Sequence, residues 1–268
     1  MILFTDDILS LKDLKTNQLH KGGIIKVKDE DTLYKYFLND DFKEKHSSNI
    51  LLLSKYKEIK GMIFPKEIII NRKNEIIGYS MKYYKDLISL KNLLGNPNIN
   101  KLFITKITIE ILKSLKELHN LGLVHGDIHM GNLFINRTSS IILDIDEIIT
   151  TQEKDIFPRY YSLITRFSSI ETDNIKVLLS YLSLILEYDL EELILDYEFY
   201  GIRSILNLTD NLNFLSSNFK DYINELLFTN EDKTNINEKL INYISSLDMN
   251  KINNSTKEIK KLIKKYIE

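Results

Sequence analysis

The chain of 268 residues contains no cysteine and no tryptophan, and it has only 3 prolines and 9 glycines. The absence of cysteine excludes disulfides, thiolate nucleophiles and cysteine-ligated metal sites. The net charge is −2, which does not provide the basic field that favours nucleic acid. The N-terminal residues do not resemble an export signal, and the most apolar run, 177–186, is too short to span a bilayer. We therefore expect a soluble, cytoplasmic protein without a nucleic-acid partner or a transmembrane segment.

The first third of the chain shows the alternation of apolar and polar residues that is typical of strands. Segments 24–28 and 32–37 are joined by an acidic turn, which indicates a hairpin. Segments 64–70 and 75–84 flank a polar turn and predict a second hairpin. Between the two hairpins, 40–57 begins with two aspartates and predicts a helix.

From about residue 85 the apolar residues recur at helical spacing instead. A first helical segment holds Leu87, Leu90, Leu93 and Leu94, and a long amphipathic helix follows through Leu118. A further helix is predicted from 170 to 186, with Thr172 or Asp173 as its N-cap, and 189–268 is predicted to be helical. With 43% hydrophobic residues the chain can bury a sizeable core. These patterns predict an α+β fold with a strand-rich region, 1–84, and a helical region, 85–268.

Three polar residues between positions 125 and 145 have a common chemical use. The carboxylate of Asp127 can accept or orient the proton of an attacking hydroxyl, and Asn132 lies five residues further on in the same loop. Asp144 follows an apolar strand, 140–143. Carboxamide and carboxylate oxygens are ligands that Mg²⁺ prefers, and phosphoryl transfer depends on positioning and charge neutralisation. The set therefore predicts a phosphotransferase.

The same stretch resembles a known superfamily. Residues 125–132, His-Gly-Asp-Ile-His-Met-Gly-Asn, are similar to the catalytic loop of the protein-kinase-like superfamily, in which His-Arg-Asp is followed at the same distance by Asn. Residues 144–146, Asp-Ile-Asp, resemble its Asp-Phe-Gly. The form HGDxHxxN, with Gly126 and His129 in place of arginine and lysine, is common in aminoglycoside phosphotransferases and choline kinases. The resemblance implies a two-lobed fold, with a small β-rich N-lobe and a larger helical C-lobe, and ATP and Mg²⁺ as cofactors.

The resemblance also implies catalytic roles for individual residues. Asp127 would position the acceptor hydroxyl, and His125 would support the loop. Asn132 and Asp144 would bind Mg²⁺, with Asp146 as the alternative ligand to Asp144.

A second set would bind the nucleotide. Lys35 would hold the α and β phosphates and Glu44 would orient it, whereas Lys26 and Lys28 are rival candidates for the lysine. A glycine pair would let backbone amides approach the phosphates, although without the motif at 125–132 an ordinary hairpin turn would be the favoured explanation of these glycines. Met81 would face the back of the adenine pocket and the backbone of residues 82–84 would meet the adenine edge, although the side chains of these residues can equally be sheet packing. The full nucleotide-binding set is Gly22, Gly23, Lys35, Glu44, Met81 and Tyr83.

The phosphate acceptor is open between a protein and a small molecule. Three features favour a Ser/Thr protein kinase, namely the approach to the catalytic loop, the arrangement of the small lobe, and Asp173. Asp173 matches an aspartate that anchors the catalytic loop in protein kinases. Gly126, His129 and the missing Ala-Pro-Glu favour a small-molecule kinase, and a non-catalytic pseudokinase is a third reading. We predict a protein acceptor by a narrow margin. The last helix, 257–266, is basic and amphipathic, which predicts packing on the C-lobe or peripheral contact with an anionic membrane or a partner.

Overall fold

The computed structural model describes residues 2–4, 12–13, 23–27, 31–37, 40–96, 98–137, 139–145, 148–150, 168–228 and 235–267. The contacts divide the chain into a first unit, Met1–Leu87 with Leu143–Ile148, and a second unit, Ile88–Ile142 with Ile149–Glu268. From the sequence we predicted a boundary after residue 84, with residues 143–148 in the helical C-terminal region. The first unit is rich in strands and the second in helices, so the predicted α+β class is confirmed.

The described part of the first unit is a six-stranded sheet with one helix. The strands lie in the order β1-β5-β6-β4-β3-β2; β1 is parallel to β5 and the other pairs are antiparallel. Helix α1, Asp40–Leu53, packs on β6 and β4. The strands are β1 (Ile2–Phe4), β2 (Lys12–Asp13), β3 (Gly23–Val27), β4 (Thr32–Phe37), β5 (Glu67–Ile70) and β6 (Ile76–Lys82). Both predicted hairpins are therefore confirmed.

Alternation along β4 gives its two faces different surroundings. Tyr34 packs with Ile69 and Ile77 in one buried cluster. Phe37 packs with Ile50 of α1 and Tyr79 in another. Because side chains at i and i+2 share a face of a strand, Lys35 lies on the same face as Phe37. The strand pattern therefore sets a lysine beside a hydrophobic core that α1 covers.

The backbone of Lys35 is held close to the neighbouring strand by a glycine. Gly78 of β6 pairs with Tyr36, and a Cβ at this position would lie 2.2 Å from the carbonyl oxygen of Lys35. That distance is far inside van der Waals contact, so a larger residue would push β4 and β6 apart. Gly78 is thus required by the close approach of the two backbones.

The described part of the second unit is built around a central helix, α3. This helix, Lys101–Asn120, begins at the cap Asn100 and buries the predicted apolar face. It contacts three further helices and two short strands. The described helices are α2 (Leu90–Leu93), α3, α4 (Ile170–Leu186), α5 (Leu190–Asp210), α6 (Ser217–Phe228), α7 (Ile236–Ser245), α8 (Met249–Asn254) and α9 (Thr256–Tyr266).

Short strands flank the loops that follow α3. Strands β10 (Ser140–Ile142), β9 (Leu133–Ile135) and β7 (Ile88–Ser89) form one antiparallel sheet. Strands β8 (Leu123–Val124) and β11 (Ile149–Thr150) form another. The predicted helix from Leu87 is wrong in extent, since the chain there forms β7 and only one helical turn.

Two predictions for the later helices have different outcomes. The N-cap of α4 is Ser169, whose hydroxyl accepts a hydrogen bond from the amide of Thr172, so neither predicted cap residue is the cap. Helix α9 buries Ile259 and Ile263 and packs on α5, which confirms the predicted packing. Its five lysines are exposed, and peripheral contact through them stays a prediction. Among the described residues, no helix combines the length and the apolar character needed to cross a bilayer.

Candidate functional site

Asp127 and Asn132 lie together in the loop between β8 and β9. The side-chain amide of Asn132 donates to the carboxylate Oδ2 of Asp127 at 2.9 Å and to the carbonyl oxygen of Asp127 at 3.0 Å. The Asp127 side chain is 16% exposed, so substrate can reach it. The two bonds fix the carboxylate and leave the amide oxygen of Asn132 as the atom that could bind a cation.

Two histidines on this loop have different surroundings. His125 is fully buried, and its Nδ1 accepts a hydrogen bond from the amide of Asp127 at 3.3 Å. The Nδ1 of His129 accepts from the amide of Gly131 at 3.0 Å, and its Nε2 lies 3.8 Å from the carboxylate of Asp127. A neutral ring that accepts at Nδ1 carries its proton on Nε2. His129 therefore presents an N–H group to the predicted catalytic carboxylate.

Asp173 of α4 binds the backbone of this loop. One carboxylate oxygen accepts from the amide of His125 at 2.8 Å, and the other accepts from the amide of Gly126 at 3.0 Å. Asp173 is only 1% exposed, so these bonds are shielded from water. The predicted role of Asp173 as an anchor of the loop backbone is confirmed.

The backbone conformation at position 126 favours glycine. Its φ is +80°, in the left-handed region where a Cβ clashes with the backbone. This conformation turns the Gly126 amide towards Asp173, directly before Asp127.

A buried polar network extends the anchor into α3 and α7. His119 Nε2 lies 3.0 Å from the Asp173 carboxylate, and His119 Nδ1 lies 3.2 Å from the side-chain oxygen of Asn237. The amide of Asn237 donates to Asn174 at 2.7 Å, and the amide of Asn174 donates to the carbonyl oxygen of Ile170. These bonds orient both carboxamides, so both ring nitrogens of His119 face acceptors. Three helices thus hold one carboxylate in place.

In the first unit, Lys35 is paired with Asp144. The Lys35 ammonium lies 2.5 Å from Asp144 Oδ1, and the two side chains are 9% and 37% exposed. Asp144 has a φ of +61°, a left-handed conformation that aspartate adopts more readily than most residues. The segment Leu143–Ile148 thus brings a carboxylate to the predicted phosphate-binding lysine.

The other predicted nucleotide-binding residues are described to different extents. Met81 packs beside the cluster of Phe37, Ile50 and Tyr79, and the amide of Tyr83 donates to the carbonyl oxygen of Asp31 at 2.8 Å. That amide is therefore occupied and not free for an adenine edge. Gly23 begins β3, and Glu44 lies within α1, but the side chain of Glu44 is outside the described part.

Four further candidate residues have little or no structural description. Gly22, Lys28 and Asp146 lie outside the described residues, and Lys26 lies in β3 opposite Tyr34. Asn132 and Asp144 belong to different units, so their sharing of one ion stays a prediction, as do the roles of the other site residues.

The donor set fits ATP and Mg²⁺. Among the residues that the structure describes, no three His, Cys, Asp or Glu side chains cluster as a metal site. Mg²⁺ typically takes one or two protein carboxylates and completes its shell with water and substrate phosphates. Lys35 offers a cation for phosphate oxygens, Asp144 a carboxylate and Asn132 a carboxamide oxygen for the metal.

Sequence reasoning gave no role to His119, His129 or Asn237. A signal existed for His119, because it lies on the buried face of α3, where a histidine needs a polar partner. His129 was noted only as a difference from protein kinases. Nothing in the sequence linked Asn237 to His119, since they are 118 positions apart.

Comparison with known proteins assigns the chain to a family. The family model described as lipopolysaccharide core biosynthesis protein (WaaY) matches residues 9–200. A search of curated proteins finds no significant match. The matched range includes the loop with Asp127 and Asn132, the anchor Asp173 and the pair Lys35–Asp144. The chain belongs to the WaaY family of lipopolysaccharide core biosynthesis proteins and is a kinase-like phosphotransferase with an alcohol group as acceptor.

Proposed function

We propose that the protein transfers the γ-phosphate of ATP to a sugar hydroxyl of the lipopolysaccharide core. The observation that carries this proposal is the Asp127 carboxylate, oriented by Asn132 on a loop whose backbone is bound by buried Asp173. Such a carboxylate, accessible yet fixed, suits a group that receives or orients a hydroxyl proton.

Each residue has a distinct task in this reaction. Asp127 holds the proton of the attacking hydroxyl, and Asn132 keeps the carboxylate in one orientation. His129 places its ring Nε2 3.8 Å from the same carboxylate. Lys35 would bind phosphate oxygens, and Asp144 and Asn132 stay the predicted ligands of the cation. ATP and Mg²⁺, when bound, supply the phosphoryl group and neutralise its charge.

Two observations support a saccharide acceptor over a protein. The matching family is described by lipopolysaccharide core biosynthesis. Gly126 replaces the arginine of regulated protein kinases, and its left-handed φ does not suit a residue with a side chain. We therefore propose a saccharide acceptor in place of the protein acceptor that the sequence alone favoured by a narrow margin.

The test is transfer of radiolabelled phosphate from ATP. The purified chain is incubated with Mg²⁺ and, separately, with dephosphorylated core oligosaccharide and with a protein mixture. We expect label in the saccharide only. Asp127→Asn should lower kcat about 10²- to 10⁴-fold, the usual contribution of a general base. Exposed Asp196 provides the matched control, since Asp196→Asn should leave kcat unchanged.

Label in protein and none in saccharide would refute the proposed acceptor. An unchanged kcat in Asp127→Asn would refute the assigned base. The predicted cytoplasmic location stays a prediction, which fractionation of the producing cells can test.

A further inference from the structure

The last described helix, α9, carries five exposed lysines on one face. They fall at positions i, i+3, i+4, i+7 and i+8, which are neighbours on the surface of a helix. Ile259 and Ile263 lie on the opposite face and are buried, and the helix contacts α4 and α5. The packed helix therefore presents a fixed row of ammonium groups to the solvent. We call this row the lysine face; it consists of Lys257, Lys260, Lys261, Lys264 and Lys265.

The charges of the lysine face are not neutralised within the described part of the chain. None of its ammonium groups forms an ion pair with a carboxylate there. Lys265 donates to the hydroxyl of Tyr266 at 2.8 Å, which is a neutral partner. Glu258 is the acidic residue in the first turn of α9, and its carboxylate accepts a hydrogen bond from the side-chain amide of Asn213 instead. The lysine face thus keeps its positive charge for a partner outside the chain.

The stability of the helix does not explain this arrangement. Lysines at i and i+4 repel each other, and the face contains three such pairs, Lys257–Lys261, Lys260–Lys264 and Lys261–Lys265. Lys257 also lies in the first turn, where the helix dipole favours anions. Solvated helices are more often supported by glutamate–lysine pairs at the same spacing. A polyanionic partner would replace this repulsion by attraction.

A membrane with anionic phospholipids fits the lysine face. A regular row of cations on the outer face of a helix matches a surface that carries many negative charges. Because the apolar face of α9 is buried in the protein, binding would be electrostatic and would weaken with salt. The net charge of the chain is −2, so such a membrane would attract this face and not the molecule as a whole.

We propose that the lysine face docks the protein on an anionic membrane, where it reaches a lipid-linked phosphate acceptor. The description of the matching family names a lipopolysaccharide, and the lipid part of such a molecule lies in a membrane. All five lysines lie beyond the range 9–200 that the family model matches. That the acceptor is lipid-linked rests on the proposed function, whereas docking on anionic lipid does not.

The test is co-sedimentation of the full chain with vesicles. One set contains phosphatidylcholine alone, and the other contains phosphatidylcholine with phosphatidylglycerol. We expect binding to the anionic vesicles only, and its loss at high salt. The triple variant Lys257→Gln, Lys261→Gln and Lys264→Gln should lower the partition coefficient about 10²-fold, since each lysine near an anionic surface contributes about fivefold. Glutamine is a good helix former, so the Tm of this variant should not fall.

The matched control removes three exposed lysines of the first unit, in the variant Lys55→Gln, Lys57→Gln and Lys73→Gln. Both triple variants have the same net charge, so the pair separates the position of the charges from their number. The control should bind anionic vesicles as the wild type does. An equal loss of binding in both variants would overturn the proposal. Equal binding of the wild type to both kinds of vesicle, or tighter binding to random-sequence RNA, would also overturn it.

Phosphate transfer distinguishes failure of the docking from failure of the proposed function. The lysine-face variant should transfer phosphate to soluble core oligosaccharide with unchanged kcat and KM, but its apparent KM should rise for an acceptor embedded in anionic vesicles. If the wild type transfers no phosphate to saccharide and the variant loses vesicle binding, the docking stands and the proposed function falls. If transfer succeeds and the variant binds vesicles as the wild type does, the proposed function stands and the docking falls.

Discussion

The two units secure their candidate catalytic residues by different means. In the second unit, the loop that carries Asp127 is bound through backbone amides to Asp173, a carboxylate that is 1% exposed. In the first unit, Lys35 is paired with Asp144, whose side chain is 37% exposed. Asp144 is therefore open to solvent, whereas Asp173 is not. Folding therefore sets the loop in advance, whereas the charge pair can exchange its partners for a bound nucleotide and its cation.

The largest effect on stability is expected from Asp173→Asn. The new amide group cannot accept hydrogen bonds from both loop amides and from His119 as well, so a buried network is left partly unsatisfied. We expect the free energy of unfolding to fall by about 3 kcal/mol, together with a loss of kcat. Urea denaturation and the transfer assay check both. A decrease below about 1 kcal/mol would mean that the loop does not depend on this anchor.

A smaller effect is expected from Gly126→Ala, with Gly95→Ala as the matched control. Both glycines have a left-handed φ, +80° and +78°, so each alanine should cost about 1 kcal/mol of unfolding free energy. A Cβ at Gly95 would meet no atom within 4 Å, and Gly95 lies away from the loop in sequence, so its substitution should leave kcat unchanged. Gly126→Ala should lower kcat because it shifts the Asp127 backbone. Equal kcat values in the two variants would contradict a preset loop.

The smallest effect on stability is expected from Lys35→Met. The substitution keeps an apolar chain of similar length, and Asp144 is exposed enough for water to solvate its carboxylate. The free energy of unfolding should change by less than about 1 kcal/mol, while kcat falls on the order of 10²-fold through loss of phosphate stabilisation. A large loss of stability with little loss of kcat would reverse the comparison, because Lys35 would then be a folding residue.

The sequence predicted those strands and helices whose apolar residues recur at a regular spacing. Alternation located β3 to β6, and helical spacing located α3, because each of these elements has one clearly apolar face. The helix predicted from Leu87 was wrong in extent because four leucines at helical spacing also fit a short strand followed by one helical turn. Ser169 was missed as a cap because Thr172 and Asp173, three and four residues later, are also good capping residues, and Asp173 is used by the loop instead.

The candidate site was predictable only as far as residues cluster in sequence. Asp127, Asn132 and Asp144 fall within 18 positions, so their order alone indicated the chemistry. The support of the loop comes from α4 and α7, and contacts between distant helices depend on tertiary packing that periodicity does not specify.

Asn237 has a practical consequence for how much of the chain is needed. It lies in α7, well past the end of the matched range 9–200, yet it supplies the acceptor for one ring nitrogen of His119. A fragment trimmed to the matched range would bury that nitrogen without its acceptor, directly beside Asp173. The smallest active fragment should therefore extend through α7, and family boundaries are a poor guide to where this enzyme can be cut.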